Sequence, residues 1–355
     1  MGLILLRCAA HNSGLSGKID PITATLAEHL LMADIFDSLD VRVLNDIESI
    51  RDLVDQGWCP VECSVDGESV VDELEMDHHG AYSHLEAVSI RAWRDHFGAR
   101  RDDPRFVIAG SADADATFAA AALAGLLPHP SRAEEVARLR PEVQERLTAD
   151  IGWLAEAIAL VDTEPIGIDY QTLPGGALFI VWNSFAGSGR ERLSALAGIH
   201  LWRALTTGRS EKFRPYFDAA HQVEQARVED AMRDLDERGV ELDGALVIYN
   251  SRVFGFSEWY GRDESSGPYD SPSGWRHPVV LSWVEGRGQV TVGCPNIAVA
   301  EALFGEGGLK NLFSRLEPQG WGGREAVGGS PRGLALTRAQ VEDAARVIAS
   351  AVIQS

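Results

Sequence analysis

The stretch "RFVIAGSADADATFAAAALAGLL" at 105–127 constrains the fold more than any other. A run of β-branched and aromatic residues ends in a Gly/Ser/Asp turn, and an Ala-rich helical run follows directly. That is one strand–turn–helix unit, and units of this kind build α/β domains around a largely parallel sheet. The same alternation recurs upstream. "LILLRCAA" (3–10) reads as a buried first strand, a helix opens at Pro21, "DVRVLND" is strand-like, and 47–56 is helical. A mixed helix is expected around 85–98, helical sequence over 131–160 runs into a strand-like "AIALV", and helices are expected over 189–238. Beyond 239 the pattern changes to "GALVIYN", "HPVVLSWVEG" and "GQVTVGC", strand-like runs separated by turn-rich sequence. At 355 residues the chain is long enough for two domains.

Ligand sites in such sheets lie at the carboxyl ends of the strands, and polar clusters fall at several of these ends. They are His11-Asn12 with Asp20, Asn45-Asp46, Asp77-His78-His79, Asp113 with Asp115, and Asp162 after "AIALV". Adjacent histidines point to opposite faces of a regular strand, but at a strand end the backbone can turn both toward one site. Imidazole with carboxylate suits Mn, Fe or Zn better than Ca or Mg. Asp113 and Asp115 allow three readings: helix N-capping, direct metal binding, or substrate contact.

A net charge of −21 excludes a long phosphate backbone as partner, because such binding draws on Lys and Arg. Only three lysines occur (Lys18, Lys212, Lys310), so arginine carries nearly all the positive charge. Arg suits bidentate phosphate or carboxylate contacts, and a coding bias is the plainer explanation. Cys8, Cys59, Cys63 and Cys294 form no CxxC pair, which fits reduced thiols in a cytoplasmic protein. The N-terminal apolar run is too short for a signal peptide or a membrane helix.

Two further segments invite ligand roles. "GWGGREAVGGSPRG" (320–333) packs six glycines and two arginines into fourteen residues. Its backbone amides could approach an anion closely, with Arg324 and Arg332 as forks; the plain alternative is a glycine-rich surface loop. The segment 254–277 sets Phe254, Phe256, Trp259, Tyr260, Tyr269 and Trp275 beside Arg262 and Arg276. It reads either as a stacking surface for a base or as domain packing.

"MDHHG" at 76–80, with "GGREAVGG" at 322–329, resembles the DHH phosphoesterase family with its DHHA1 C-terminal domain. In that family an Asp-His-His motif lies in the first domain and Gly-Gly-His-x-x-Ala-Ala-Gly in the second; Arg324 stands here at the histidine position. "LVDTEPIG" is similar to the later family motif whose Asp binds metal, which nominates Asp162. The family's first motif, His-x-Asn-Pro-Asp-x-Asp, corresponds to "AHNSGLSGKIDP", with His11 at the histidine and no aspartates at the family's spacing.

The resemblance implies a DHH-like metal-binding domain over 1–185, a helical connector over 186–238 and a smaller DHHA1-like substrate domain over 239–355. It implies one or two divalent ions, Mn above all, drawn from Asp77, His78, Asp162, His11, Asp20, Asp46, Asp113 and Asp115. His78 and His79 would be catalytic. Gly322, Gly323, Arg324, Gly328, Gly329 and Arg332 would hold substrate. The activity expected is hydrolysis of a small phosphorylated metabolite, nucleotide or very short oligonucleotide. The alternative is a degraded metal centre that binds a ligand or performs non-phosphate chemistry. A homodimer is compatible with either, and neither calls for a membrane.

Overall fold

The structure, a computed structural model, describes residues 39–65, 68–70, 76–78, 82, 85–110, 112–132, 141–163, 166, 199, 202–203, 214–284, 286–331 and 334–352. The chain divides into two compact units, Met1–Thr163 with Tyr170–Gln222, and Glu164–Asp169 with Val223–Ser355. The strand expected at 3–10 and the helix opening at Pro21 lie outside the described residues. Among the described residues, no helix is long and apolar enough to cross a membrane.

In the first unit, strands β1 (Asp40–Leu44), β2 (Cys59–Val61) and β5 (Arg105–Ala109) form a parallel sheet in the order β1-β5-β2. The centre of β5, Phe106 to Ile108, is fully buried, as a strand covered on both faces requires. Between β1 and β2 runs helix α1 (Ile47–Asp55), whose Ile50 packs with Trp58, Cys63, Val70 and Val107. A short antiparallel pair, β3 (Ser64–Val65) and β4 (Glu68–Ser69), follows β2.

Helix α2 (Val88–Arg94) precedes β5 in the chain. Helix α3 (Ala114–Leu123) follows β5 after a turn at Gly110, where φ is +72°. From Asp115 onward every residue of α3 is buried, which explains its unbroken small-apolar sequence. Its Phe118 meets Trp93 of α2 at 6.4 Å and Trp202 at 5.7 Å between ring centroids.

Helix α4 (Pro141–Thr163) includes the "AIALVD" stretch. This corrects the expectation of a strand there. Ile158 and Ala159 are buried on a helix face, and an apolar run of this length does not by itself distinguish the two states.

The second unit holds a six-stranded sheet in the order β10-β11-β9-β8-β7-β6. Its strands are β6 (Gly239–Leu242), β7 (Ala245–Ser251), β8 (Val280–Val284), β9 (Val290–Gly293), β10 (Gly322–Gly323) and β11 (Val327–Gly329). All neighbours are antiparallel except β7 and β8. The β6–β7 hairpin turns on Asp243 and Gly244, both at positive φ, the Asp-Gly pairing that a tight hairpin favours.

The unit boundary falls inside helix α5 (Arg214–Arg238), within the segment expected as a connector. From Val223 on, that helix is part of the second unit. Ala231 is buried in its core and accepts the Trp259 indole N–H at 2.8 Å, and buried Asp234 takes Arg252 Nε at 2.7 Å. Helix α6 (Ser257–Tyr260), helix α7 (Ile297–Phe304), helix α8 (Lys310–Phe313) and helix α9 (Arg338–Ser350) complete the unit. Thr337 and Gln340 form a reciprocal capping box at the start of α9.

Both ligand-like segments of this unit have packing reasons for their composition. Trp259, Tyr260 and Trp275 are core residues, so most of the aromatic weight of 254–277 goes into packing. Gly322, Gly323, Gly328 and Gly329 form the β10–β11 hairpin. Gly323 sits at φ +151°, and a side chain there would meet the Cα of Gly328 at 2.4 Å. One at Gly328 would meet the Phe313 ring at 2.4 Å. We therefore expect Gly328→Ala to destabilise the protein by about 1–3 kcal/mol through overpacking, read as an earlier urea midpoint.

Candidate metal centre

At its carboxyl end β2 delivers Glu62, which adopts φ +53°, a left-handed conformation uncommon for a residue with a side chain. The Glu62 amide donates to Met76 O at 2.7 Å, which ties the 76–78 backbone to the end of β2. At the neighbouring end of β5 the turn leads into α3. There the Asp113 carboxylate caps the helix, accepting from Ala116 N at 3.0 Å, and Asp115 lies in the first turn. Asp162 comes from the last turn of α4.

These elements bring Glu62, His78, Asp115 and Asp162 to one point, each offering a ligand atom within 4.8 Å of the others. His78 Nε2 lies 2.8 Å from Glu62 Oε1, 3.3 Å from Asp162 Oδ2 and 3.5 Å from Asp115 Oδ2. The first three side chains are almost wholly buried, whereas Asp162 is 23% exposed and marks the solvent side.

Asp115 is held from behind. The α2 N-terminus has no cap from its own N-cap residue, Ala87; the Val88 and Ser89 amides donate instead to the two Asp115 oxygens, at 3.1 and 3.0 Å.

This group can hold a metal ion. Three carboxylates crowded together repel one another, and beyond the two amides on Asp115 and the solvent side of Asp162 a proton or a cation is what compensates their lost hydration. Burial, reinforced by the charges of Asp113, Asp115 and Asp162, pushes the Glu62 carboxyl well above the ordinary carboxylate range. Asp162 lies at a helix C-terminus, the end where the backbone dipole disfavours an anion and favours a cation.

The 2.8 Å approach of Glu62 Oε1 to Nε2 is not a directed hydrogen bond, since that buried oxygen accepts none. Oxygen and nitrogen instead converge, and their 2.8–3.5 Å separations are those of neighbouring ligands about 2.0–2.2 Å from a common ion. One imidazole and three carboxylates form an oxygen-rich set.

Of the residues nominated from sequence, His78, Asp115 and Asp162 meet here. Asp77 is fully buried next to His78, but its carboxylate is outside the group. Asp46 is an exposed N-cap of α1 that accepts from Ser49 N at 2.7 Å, and hydrogen bonding to the Ser49 side chain and then to its backbone lowers its pKa; it is a capping residue and not a ligand of this group. Asp113 is a capping residue whose charge reaches Glu62. Gly322, Gly323, Arg324, Gly328 and Gly329 belong to the second unit. His11, Asp20, His79 and Arg332 lie outside the described residues.

Glu62 was not nominated. Its signal was a lone acid inside the apolar run "WCPVECSV", at the end of a strand too short to show alternation.

With chelator present we expect Glu62→Gln to be more stable than the parent near neutral pH. The folded state holds the Glu62 proton more tightly than the unfolded one does. The parent therefore loses stability as pH rises from the ordinary value of 4.5 through the raised folded value. Thermal melts between pH 4 and 8 check this: the Gln variant loses that slope and also the upward shift of Tm produced by Mn2+. Compared with known proteins, the chain matches no family model, no curated protein and no solved structure.

Proposed function

We propose that the first unit is a divalent-metal site, with Mn the fitting ion, in a hydrolase of small phosphorylated substrates. The observation that carries this reading is that His78, from the motif resembling that of DHH phosphoesterases, lies within 3.5 Å of three carboxylates. All four residues come from different elements, at or near the carboxyl ends of β2 and β5. Two divalent ions, one held by these four ligands and a second beside it, would supply a water acidic enough to act near neutral pH, together with positive charge for a phosphoryl oxygen. Asp162, the solvent-facing ligand, sets the side from which substrate arrives. Glu62, His78 and Asp115, buried behind it, keep bulk water from the other side. The packing around Gly323 and Gly328 accounts for those glycines by itself, so the reading rests on the first unit alone.

A specific observation also favours a second reading. Three carboxylates with one divalent ion leave the group at −1, a field that repels a phosphate dianion. Two ions leave it at +1, which attracts one. A centre with a single ion therefore points to non-phosphate chemistry or to ligand binding, and a centre with two to phosphoester hydrolysis.

Elemental analysis of Mn-loaded protein, paired with assays on an aryl phosphate, nucleotides and dinucleotides, tests both readings. Two equivalents per chain with Mn-dependent hydrolysis are expected. His78→Ala should cost more than the roughly 10–100-fold loss typical of an outer partner. One equivalent without hydrolysis supports the second reading, and no bound ion overturns both.

A further inference from the structure

Arg91 is a charged residue in the interior, 8% exposed on helix α2. Its Nε donates to Glu86 O at 2.9 Å, and one of its terminal nitrogens donates to Asp77 O at 2.6 Å. One guanidinium thus grips the backbone at both ends of the stretch from Asp77 to Glu86. Asp77 O belongs to the peptide unit that leads directly into His78. On the preceding side, Met76 O is held by the Glu62 amide. The backbone carrying the imidazole is therefore fixed at two successive carbonyls, one tied to β2 and the other to α2.

The contacts close into a ring. Asp115 accepts from the α2 N-terminus, α2 carries Arg91, Arg91 holds Asp77 O, and the His78 that follows turns Nε2 back toward Asp115. Resting on the metal reading above, we propose that Arg91 is a positioning residue of the centre. It staples the 77–86 segment so that the His78 imidazole reaches the ion.

A planar fork with separated donors suits this task, because two carbonyls nine residues apart in sequence must be satisfied at once. The charge also strengthens each bond. Lysine, a single point of charge on a flexible stem, cannot span both carbonyls in that geometry.

The test is Mn2+ titration of the metal-stripped full chain as wild type, Arg91→Lys, Arg91→Met and His78→Ala. Bound Mn2+ is followed by EPR, and pulsed EPR reads the nitrogen modulation of a coordinated imidazole. Wild type should show that modulation and His78→Ala should lack it. Outer partners that orient a ligand are worth about 10–100-fold in metal affinity. Arg91→Lys should therefore bind about 10-fold more weakly with reduced modulation, and Arg91→Met up to about 100-fold more weakly with none. Arg91→Lys with wild-type affinity and undiminished modulation overturns the staple, even if Arg91→Met fails to fold. Wild type that binds Mn2+ without nitrogen modulation, or binds none, overturns the metal reading itself and the staple with it.

Discussion

Three carboxylates and an imidazole gathered in the interior of the first unit are the constraint on which its local structure depends. Such a group is costly to bury, so every neighbouring backbone element is placed to hold it in register. Glu62 takes a left-handed conformation at the end of β2, and the unfavourable backbone persists because its amide is held by Met76 O and its strand by the sheet. Asp115 gives both oxygens to the buried N-terminal amides of α2, so a helix with no cap of its own is closed by a side chain 27 residues from Val88. The α2 N-terminus and the candidate ligand set are therefore one piece of structure.

The second unit follows a different logic. Its glycine-rich hairpin and aromatic segment look like ligand-binding features in sequence, and packing accounts for Gly323, Gly328, Trp259, Tyr260 and Trp275 among them. Gly328 lies against the Phe313 ring, and Trp259 and Tyr260 are 1% exposed in the core. Glycines that let a backbone approach an anion also let a hairpin approach a phenyl ring, and composition does not separate the two uses.

What could be read in the sequence was what rests on local period and turn chemistry. The β5–turn–α3 unit, strand β1, helix α1 and strands β7, β8 and β9 of the second unit lie where alternation and turn residues placed them, while β6 and the glycine-rich β10–β11 pair were not expected as strands. Of the centre, His78, Asp115 and Asp162 are legible as polar residues expected at strand ends, and the DHH resemblance singles out His78 and Asp162. Asp162 was nominated at a strand end and arrives from a helix end, since "AIALV" is buried in either state. The Asp113/Asp115 alternatives divide by position: one caps the helix and the next on the same turn joins His78. Glu62 escaped because its meaning is tertiary. Its neighbours Cys59 and Cys63 are of ligand type but have no second pair at zinc-finger spacing, and only the pairing of β2 with β5 puts Glu62 opposite Asp115.

Arginine usage ties the two units together in kind. With three lysines in 355 residues, coding bias was the plainest account of so much arginine. In the structure several guanidiniums hold loop carbonyls. Arg91 takes those of Asp77 and Glu86, and Arg262 takes those of Asp263, Gly267 and Gly274 while lying 5.6 Å from the Trp275 ring centre. Arg227 takes Phe254 O together with the Glu258 carboxylate. A five-donor plane satisfies several carbonyls of an irregular segment at once, whereas an ammonium on a flexible stem loses more side-chain freedom for each bond made. Irregular segments on the surface can leave carbonyls to water, but those at the core cannot. Whatever set the codon preference, exchange of Arg91 for lysine is not conservative, because it removes a bridge made by two separate nitrogens between two backbone points. In the first unit, one of those points adjoins the imidazole at the centre of the site.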